Sequence, residues 1–154
     1  MLHEHTVKGG IDFDTLNDDS KSDPHLRYGR SKLANVLFAK ALARRLAGEK
    51  VFVNIAHPGF VSTAMTDPDK RPFGKVGKAI FGLVVKAFAV TPDQGALTQL
   101  YLATSPEIEN KAVTGRYFVP IAHEIQPSKY GRDEHLQEEL WSWSEEMVRQ
   151  HVKV

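Results

Sequence analysis

The sequence predicts an α/β fold built on a parallel sheet. Three features carry that expectation. First, Tyr28 to Ala47 reads as a helix with little polar face. Leu33, Ala34, Val36, Leu37, Phe38, Ala39, Ala41, Leu42 and Leu46 crowd it, so it is buried on more than one side. Second, Val51-Phe52-Val53-Asn54-Ile55-Ala56 is rich in β-branched and aromatic residues and has the length of a buried strand. Third, a comparable run from Thr114 to Val119 stops at Pro120. Buried strands alternating with helices belong to a parallel sheet covered on both faces.

The elements follow in chain order. Residues 1–27 read as loop, because Asp12, Asp14, Asn17, Asp18, Asp19, Ser20, Ser22, Asp23 and Pro24 are turn formers. Their acids lack the glycine and glutamate spacing of a calcium-binding EF-hand, and His3 and His5 have no metal-ligand partners in the sequence. The helix from Tyr28 closes at Gly48, a glycine at the helix end. After the strand, His57-Pro58-Gly59-Phe60-Val61-Ser62-Thr63 forces a turn. His57 there either touches a ligand or is satisfied by backbone. Residues 64–90 form a separate segment. Val76, Ala79, Ile80, Leu83, Val84 and Ala87 share one helical face, with Lys75, Lys78 and Lys86 off it. This segment reads as a substrate lid, a membrane-surface helix or ordinary core. Its glycines and prolines predict that 73–88 is the most mobile stretch between Tyr28 and Pro120. Thr91-Pro92-Asp93-Gln94 is a capping box that starts a helix to about Ala103. The terminal helix spans 132–152, with Leu136, Leu140, Trp143 and Met147 as its core stripe.

Candidate chemistry lies at Tyr28 and Lys32. Four residues apart in a helix, they share a face. A phenol titrates near pH 10, and an ammonium one turn away lowers that value. Such a pair can exchange a proton with an alcohol or carbonyl oxygen near neutral pH. The Pro58–Thr63 turn is the second component. It follows the carboxyl end of a strand, where ligands of open α/β sheets sit.

Tyr28-Gly29-Arg30-Ser31-Lys32, an intervening strand, and Pro58-Gly59-Phe60-Val61-Ser62-Thr63 together resemble the short-chain dehydrogenase/reductase family. Tyr28 to Phe38, Gly9 to Asp14 and Thr114 to Phe118 resemble its branch of retinol dehydrogenases and WW-domain oxidoreductases. The resemblance runs from about Lys8 to about Pro120. It implies a Rossmann-like, doubly wound sheet. It implies hydride transfer between NADP or NAD and an alcohol or carbonyl carbon. Tyr28 would be the general acid/base, and Lys32 would tune it and hydrogen-bond the nicotinamide ribose. The backbone after Pro58-Gly59, with Val61 and the Thr63 hydroxyl, would hold the carboxamide. The family's counterpart of 64–90 is the substrate lid, so an apolar lid implies an apolar alcohol or carbonyl substrate, retinol-, steroid- or lipid-like. In the family the tyrosine-bearing helix packs on the sheet and on a partner subunit.

The departures are equally specific. The family's Gly-rich dinucleotide turn, G-x-x-x-G-x-G, does not occur, and the only glycine pair before Tyr28 is Gly9-Gly10. The family's catalytic asparagine has no counterpart, and its serine would fall at or before Met1. The expectation is therefore one partial domain over 1–154, the C-terminal part of the fold with the dinucleotide-binding half missing. It has about two strands and three to four helices, divided as 1–27, 28–63, 64–90 and 91–154. As an isolated chain it is expected not to turn over alcohols. Two other readings stay open: a non-enzymatic remnant that self-associates or pairs with a full-length relative, and an unrelated helical interaction module.

Composition narrows the field without deciding it. A length of 154 residues suits one domain. A net charge of +1 is too small to argue for nucleic acid. Zero cysteines exclude disulfides and thiolate metal sites. The polar first 27 residues do not read as a signal peptide. A cytoplasmic or membrane-peripheral location is expected.

Overall fold

The computed structural model describes residues 9–16 and 23–152. The amino-terminal histidines and the Ser20–Ser22 stretch of the expected loop lie outside them. Among the described residues, five α-helices and three strands follow one another. They are α1 (Pro24–Arg45), β1 (Ile55–Ala56), α2 (Lys75–Phe88), α3 (Pro92–Thr104), α4 (Pro106–Asn110), β2 (Tyr117–Val119), β3 (His123–Ile125) and α5 (Glu134–His151). The sheet order is β1-β2-β3. The chain divides into two compact units, one holding residues up to Ile55, Pro106–Tyr117 and Ile125 onward, the other Ala56–Ser105 and Phe118–Glu124.

In the first unit, α1 starts four residues earlier than the apolar pattern indicates. Asp23 is the cause: its carboxylate accepts from the N–H groups of His25 (2.7 Å) and Leu26 (3.3 Å), and Pro24 occupies the first helical position. The helix ends at Arg45 with Leu46 as its cap, rather than at Ala47 with Gly48. Gly48 instead adopts φ +95° in the turn beyond. The buried face includes Leu33, Val36 and Leu37. Leu33 and Leu37 cluster with Ile11, Leu136 and Leu140 of the terminal helix. Of the expected α5 stripe, Leu136 and Leu140 are buried, while Trp143 packs its ring 5.9 Å from Phe13. Phe38 and Trp141 stack at 5.7 Å.

Polar contacts pin the same two helices. Arg44 donates to Gln137 Oε1 and, at 2.7 Å, to Glu138. Arg45 donates to both oxygens of Glu138, at 3.1 and 2.5 Å. The buried Gln137 amide donates in turn to the Gly131 carbonyl at 3.0 Å, so its polar atoms are satisfied inside the core. Asp12 behaves as a local turn former. Its carboxylate accepts from the Thr15 hydroxyl at 2.6 Å, and that bond holds it below the usual carboxylate range.

The sheet differs from expectation in two ways. Val51–Asn54 stay outside β1: Val53 and Asn54 bond to residues 113–116, just before β2, through one main-chain bond, from the Gly115 N–H to the Val53 carbonyl at 2.7 Å, and through side chains. The Val53 N–H donates to the Thr114 hydroxyl at 3.1 Å. The Asn54 amide donates to the Val113 carbonyl and accepts from the Arg116 N–H. Main-chain bonds from Ile55 to Arg116 and from His57 to Phe118 advance in the same sense, so β1 and β2 are parallel. The second difference is β3. Only three residues connect it to β2, which forces an antiparallel return. The sheet is therefore mixed rather than parallel. Its sequence, His-Glu-Ile after a proline, has no apolar alternation to announce a strand.

In the second unit, α3 begins as the capping box requires. The Gln94 N–H donates to the Thr91 hydroxyl at 3.2 Å and the Thr91 N–H to Gln94 Oε1 at 3.0 Å. Thr98 is buried, and its hydroxyl accepts from the Ala122 N–H at 3.1 Å. α2 has no buried residue. Its inner side rests on the short 3-10 turn Pro68–Lys70.

Candidate active site

Burial of Gly29, Leu33, Val36 and Leu37 fixes the rotation of α1. Tyr28 and Lys32 are left on its exposed rim, Tyr28 being 47% exposed. The Lys32 ammonium stands 5.2 Å from the centre of the Tyr28 ring, within cation–π range. The exposed Ser31 hydroxyl donates to the Tyr28 carbonyl at 2.8 Å, back onto its own helix turn. The i, i+4 spacing thus delivers a phenol and a cation side by side.

Pro58–Thr63 is ordered by a series of backbone locks in the second unit. The Gly59 N–H donates to His57 Nδ1 at 2.9 Å, so that ring nitrogen serves the backbone. Gly59 has φ +84°, and a Cβ there would lie 2.9 Å from Pro120 Cγ. Glycine is required on both counts. Val61 forms an isolated parallel bridge with Val90. The bonds of that bridge run from the Val90 N–H to the Phe60 carbonyl and from the Ser62 N–H to the Val90 carbonyl, both 2.9 Å. Val61's own N–H and carbonyl therefore point to the opposite side. The carbonyl accepts from the Thr66 hydroxyl at 3.4 Å, while the N–H has no acceptor among the described residues. Gly95 lets α3 approach: a Cβ on it would meet Val61 Cγ2 at 2.7 Å.

Thr63 is used locally. Its hydroxyl accepts from the Met65 N–H at 3.3 Å, and its N–H donates to the Thr66 hydroxyl at 2.8 Å. An accepting hydroxyl keeps its own proton to donate. The sequence reading passed over Thr66, although Thr63-Ala64-Met65-Thr66 carries the spacing of a cap. Pro120 and Gly95 were also passed over. Their role is steric and has no local signature. Tyr28 and Lys32 belong to the first unit, and Pro58, Gly59, Val61 and Thr63 to the second.

No family model matches the sequence. Curated proteins do. Over 140 residues the chain is 45% identical to retinol dehydrogenase 14 of Homo sapiens, covering 91% of this chain and 40% of that protein. It is 34% identical over 152 residues to the short-chain dehydrogenase TIC 32 B, chloroplastic, of Brassica napus, covering 96% and 44%. Polyprenol dehydrogenase of Homo sapiens is 35% identical over 142 residues, covering 90% and 40%. The chain is a relative of the short-chain dehydrogenases/reductases. It spans about two-fifths of the length of these relatives. An uncharacterized protein of Mycobacterium paratuberculosis superposes with a TM-score of 0.57 at 23% identity, over 96% of this chain and 47% of that one.

Proposed function

We propose that this short-chain dehydrogenase relative supplies the acid/base pair and the nicotinamide-facing turn of an oxidoreductase. Its substrate is the alcohol or carbonyl group of an apolar molecule, retinol-, steroid- or lipid-like. The observation that carries the reading is the Lys32 ammonium over the Tyr28 ring on the exposed rim of a helix whose opposite face is buried. Relatives named for retinol and polyprenol support the substrate class.

A nicotinamide dinucleotide, NADP or NAD, would supply the hydride exchange when bound. The Val61 peptide fits that group: a carboxamide oxygen needs a donor, and the Val61 N–H has no protein acceptor among the described residues. Thr63 offers its remaining hydroxyl proton to the same carboxamide. In oxidation, the Tyr28 oxygen takes the proton of the substrate hydroxyl. In reduction, it gives that proton to the carbonyl oxygen. Lys32 has donors for the cofactor's ribose. Gly59 and Pro120 keep the turn in one conformation, so its donors are positioned before any ligand arrives.

A second reading is favoured by one fact: no G-x-x-x-G-x-G turn occurs in the 154 residues. Pyrophosphate normally rests on the helix N-terminus that such a turn opens. The chain would then act as an interaction partner of itself or of a full-length relative. Two assays separate the readings. The 154-residue chain alone is expected to show no turnover with NADP or NAD and retinoid or aliphatic alcohols. Residues 24–120 grafted into the matching region of retinol dehydrogenase 14 are expected to sustain turnover. Tyr28→Phe in that chimaera should lower kcat about 100-fold or more. A folded chimaera with no activity, or with activity indifferent to Tyr28→Phe, refutes the proposal and leaves the interaction reading.

A further inference from the structure

The side of α2 that faces away from the protein is its apolar side. At 100° per residue, Val76, Ile80, Leu83, Val84 and Ala87 fall within an arc of about 100°. Val76 is 73% exposed and Leu83 68%, and Phe88 at the helix end is 75% exposed. The inner side is made of Gly77, Lys78, Phe81, Gly82 and Val85, all half-buried. Pro68 lies 3.5 Å from where a Cβ on Gly82 would be. Phe81 packs edge-on to Phe73 at 5.7 Å. Lys78 is spent internally, donating to the Asp69 carbonyl at 3.0 Å. A solvent-facing helix normally shows the reverse arrangement.

Charge shows what this face suits. From Lys70 to Phe88 the sequence contains Lys70, Arg71, Lys75, Lys78 and Lys86 and no acid. Lys75 and Lys86 lie on one border of the apolar arc, three turns and about 16 Å apart. Neither has a carboxylate partner among the described residues. A second copy laid antiparallel on this helix would bring Lys75 against Lys86, like charge to like. An apolar face bordered by unpaired lysines matches instead an anionic lipid surface, where the chains take the side chains and the phosphates take the ammonium groups. Fourteen residues extend about 21 Å, short of the roughly 30 Å hydrocarbon layer. No helix among the described residues is long and apolar enough to cross a membrane. The helix would therefore lie in the interface.

We infer that α2 is a membrane-surface anchor. It sets Val76, Ile80, Leu83, Val84 and Phe88 into the outer layer of an anionic phospholipid bilayer, with Lys75 and Lys86 at the headgroup phosphates. This inference does not depend on the proposed oxidoreductase chemistry, and its test has no activity readout.

The test is co-sedimentation of the full chain with phosphatidylcholine vesicles, with and without phosphatidylserine. The wild type should bind the phosphatidylserine vesicles, and added salt should weaken binding. The double substitution Ile80→Asp/Leu83→Asp should lower the partition coefficient at least about 100-fold. Lys75→Glu/Lys86→Glu should lower it about tenfold or more on anionic vesicles and remove the salt dependence. The chain contains no cysteine, so Ala87→Cys accepts one environment-sensitive fluorophore, whose emission should shift to the blue on vesicle addition. That signal reads the face directly and does not rely on a variant losing function. No partition by the wild type overturns the inference, as does partition unchanged in the Ile80→Asp/Leu83→Asp variant. So does light scattering that shows a wild-type oligomer converted to monomer by the same substitutions without lipid, because the face would then join copies of the chain.

Discussion

The two compact units of this chain are packed very differently. In the unit carrying α1 and α5, Ile11, Leu33, Leu37, Leu136 and Leu140 form one buried cluster, closed at the helix ends by Arg44, Arg45, Gln137 and Glu138. In the unit carrying the Pro58–Thr63 turn, α2 and α3, Phe118 alone among the described residues is a buried large hydrophobic side chain. That unit is held by close glycine contacts and backbone bonds instead: Gly59 on Pro120, Gly95 on Val61, and the Val61–Val90 bridge. The proposed acid/base pair therefore stands on a stable helix, while the proposed cofactor turn stands on a support that few apolar contacts stabilise. Few buried contacts mean low local opening free energies.

The sharpest break in that comparison comes from truncating one leucine in each unit. Leu37 has no exposed surface, so Leu37→Ala removes burial and leaves a cavity. It should cost about 2–5 kcal/mol of unfolding free energy in urea titration. Leu83→Ala, on the outward side of α2, should stay within about 0.5 kcal/mol of wild type. Equal losses would mean that α2 is covered by protein in solution and that the contrast between the units is false.

A smaller effect tests how the second unit holds together. Gly59→Ala places a side chain at φ +84° and within 2.9 Å of Pro120 Cγ. The left-handed conformation alone costs about 1–2 kcal/mol. Hydrogen exchange should show that loss over Pro58–Val90 while the amides of Leu33–Arg45 keep their protection. In the wild type, 73–88 should already exchange faster than Leu33–Arg45. Uniform acceleration along the chain would show that the units open together.

What the sequence revealed divides along the same line. The helix Tyr28–Ala47, the strand ending at Ala56 and the Thr91 capping box were legible because each rests on local signals: apolar density, β-branched composition, a Thr-Pro-x-Gln start. The early start of α1 at Pro24 is legible in principle from Asp23-Pro24, an acidic cap followed by proline, although both residue types also favour turns. β3 and α4 were not legible. His123–Ile125 is a strand because β2 offers it an edge, and Pro106–Asn110 is a single turn anchored by one buried side chain, Ile108. The outward apolar face of α2 was visible as a periodicity, yet periodicity does not say whether an apolar stripe faces protein or solvent.

The smallest expected effect is electrostatic and belongs to the well-packed unit. Glu138 accepts from Arg45 and Arg44, and these bonds hold its carboxyl down to about 2. The same contact raises the Arg45 guanidinium, so both partners are held in their charged forms. A carboxyl depressed in the folded state binds fewer protons there than in the unfolded chain, whose value is near 4.5. Its stabilisation is therefore complete above about pH 4.5 and is lost as pH falls toward about 2. Both side chains are partly exposed, and salt screens such pairs, which keeps the effect below those of Leu37 and Gly59. Urea midpoints of wild type and Glu138→Gln should differ in favour of wild type at neutral pH. That gap should narrow through the acid window and shrink in high salt. No gap at neutral pH would mean that Glu138 acts only as a neutral hydrogen-bond acceptor, a role glutamine fills. The α1–α5 junction would then owe its strength to the leucine cluster alone.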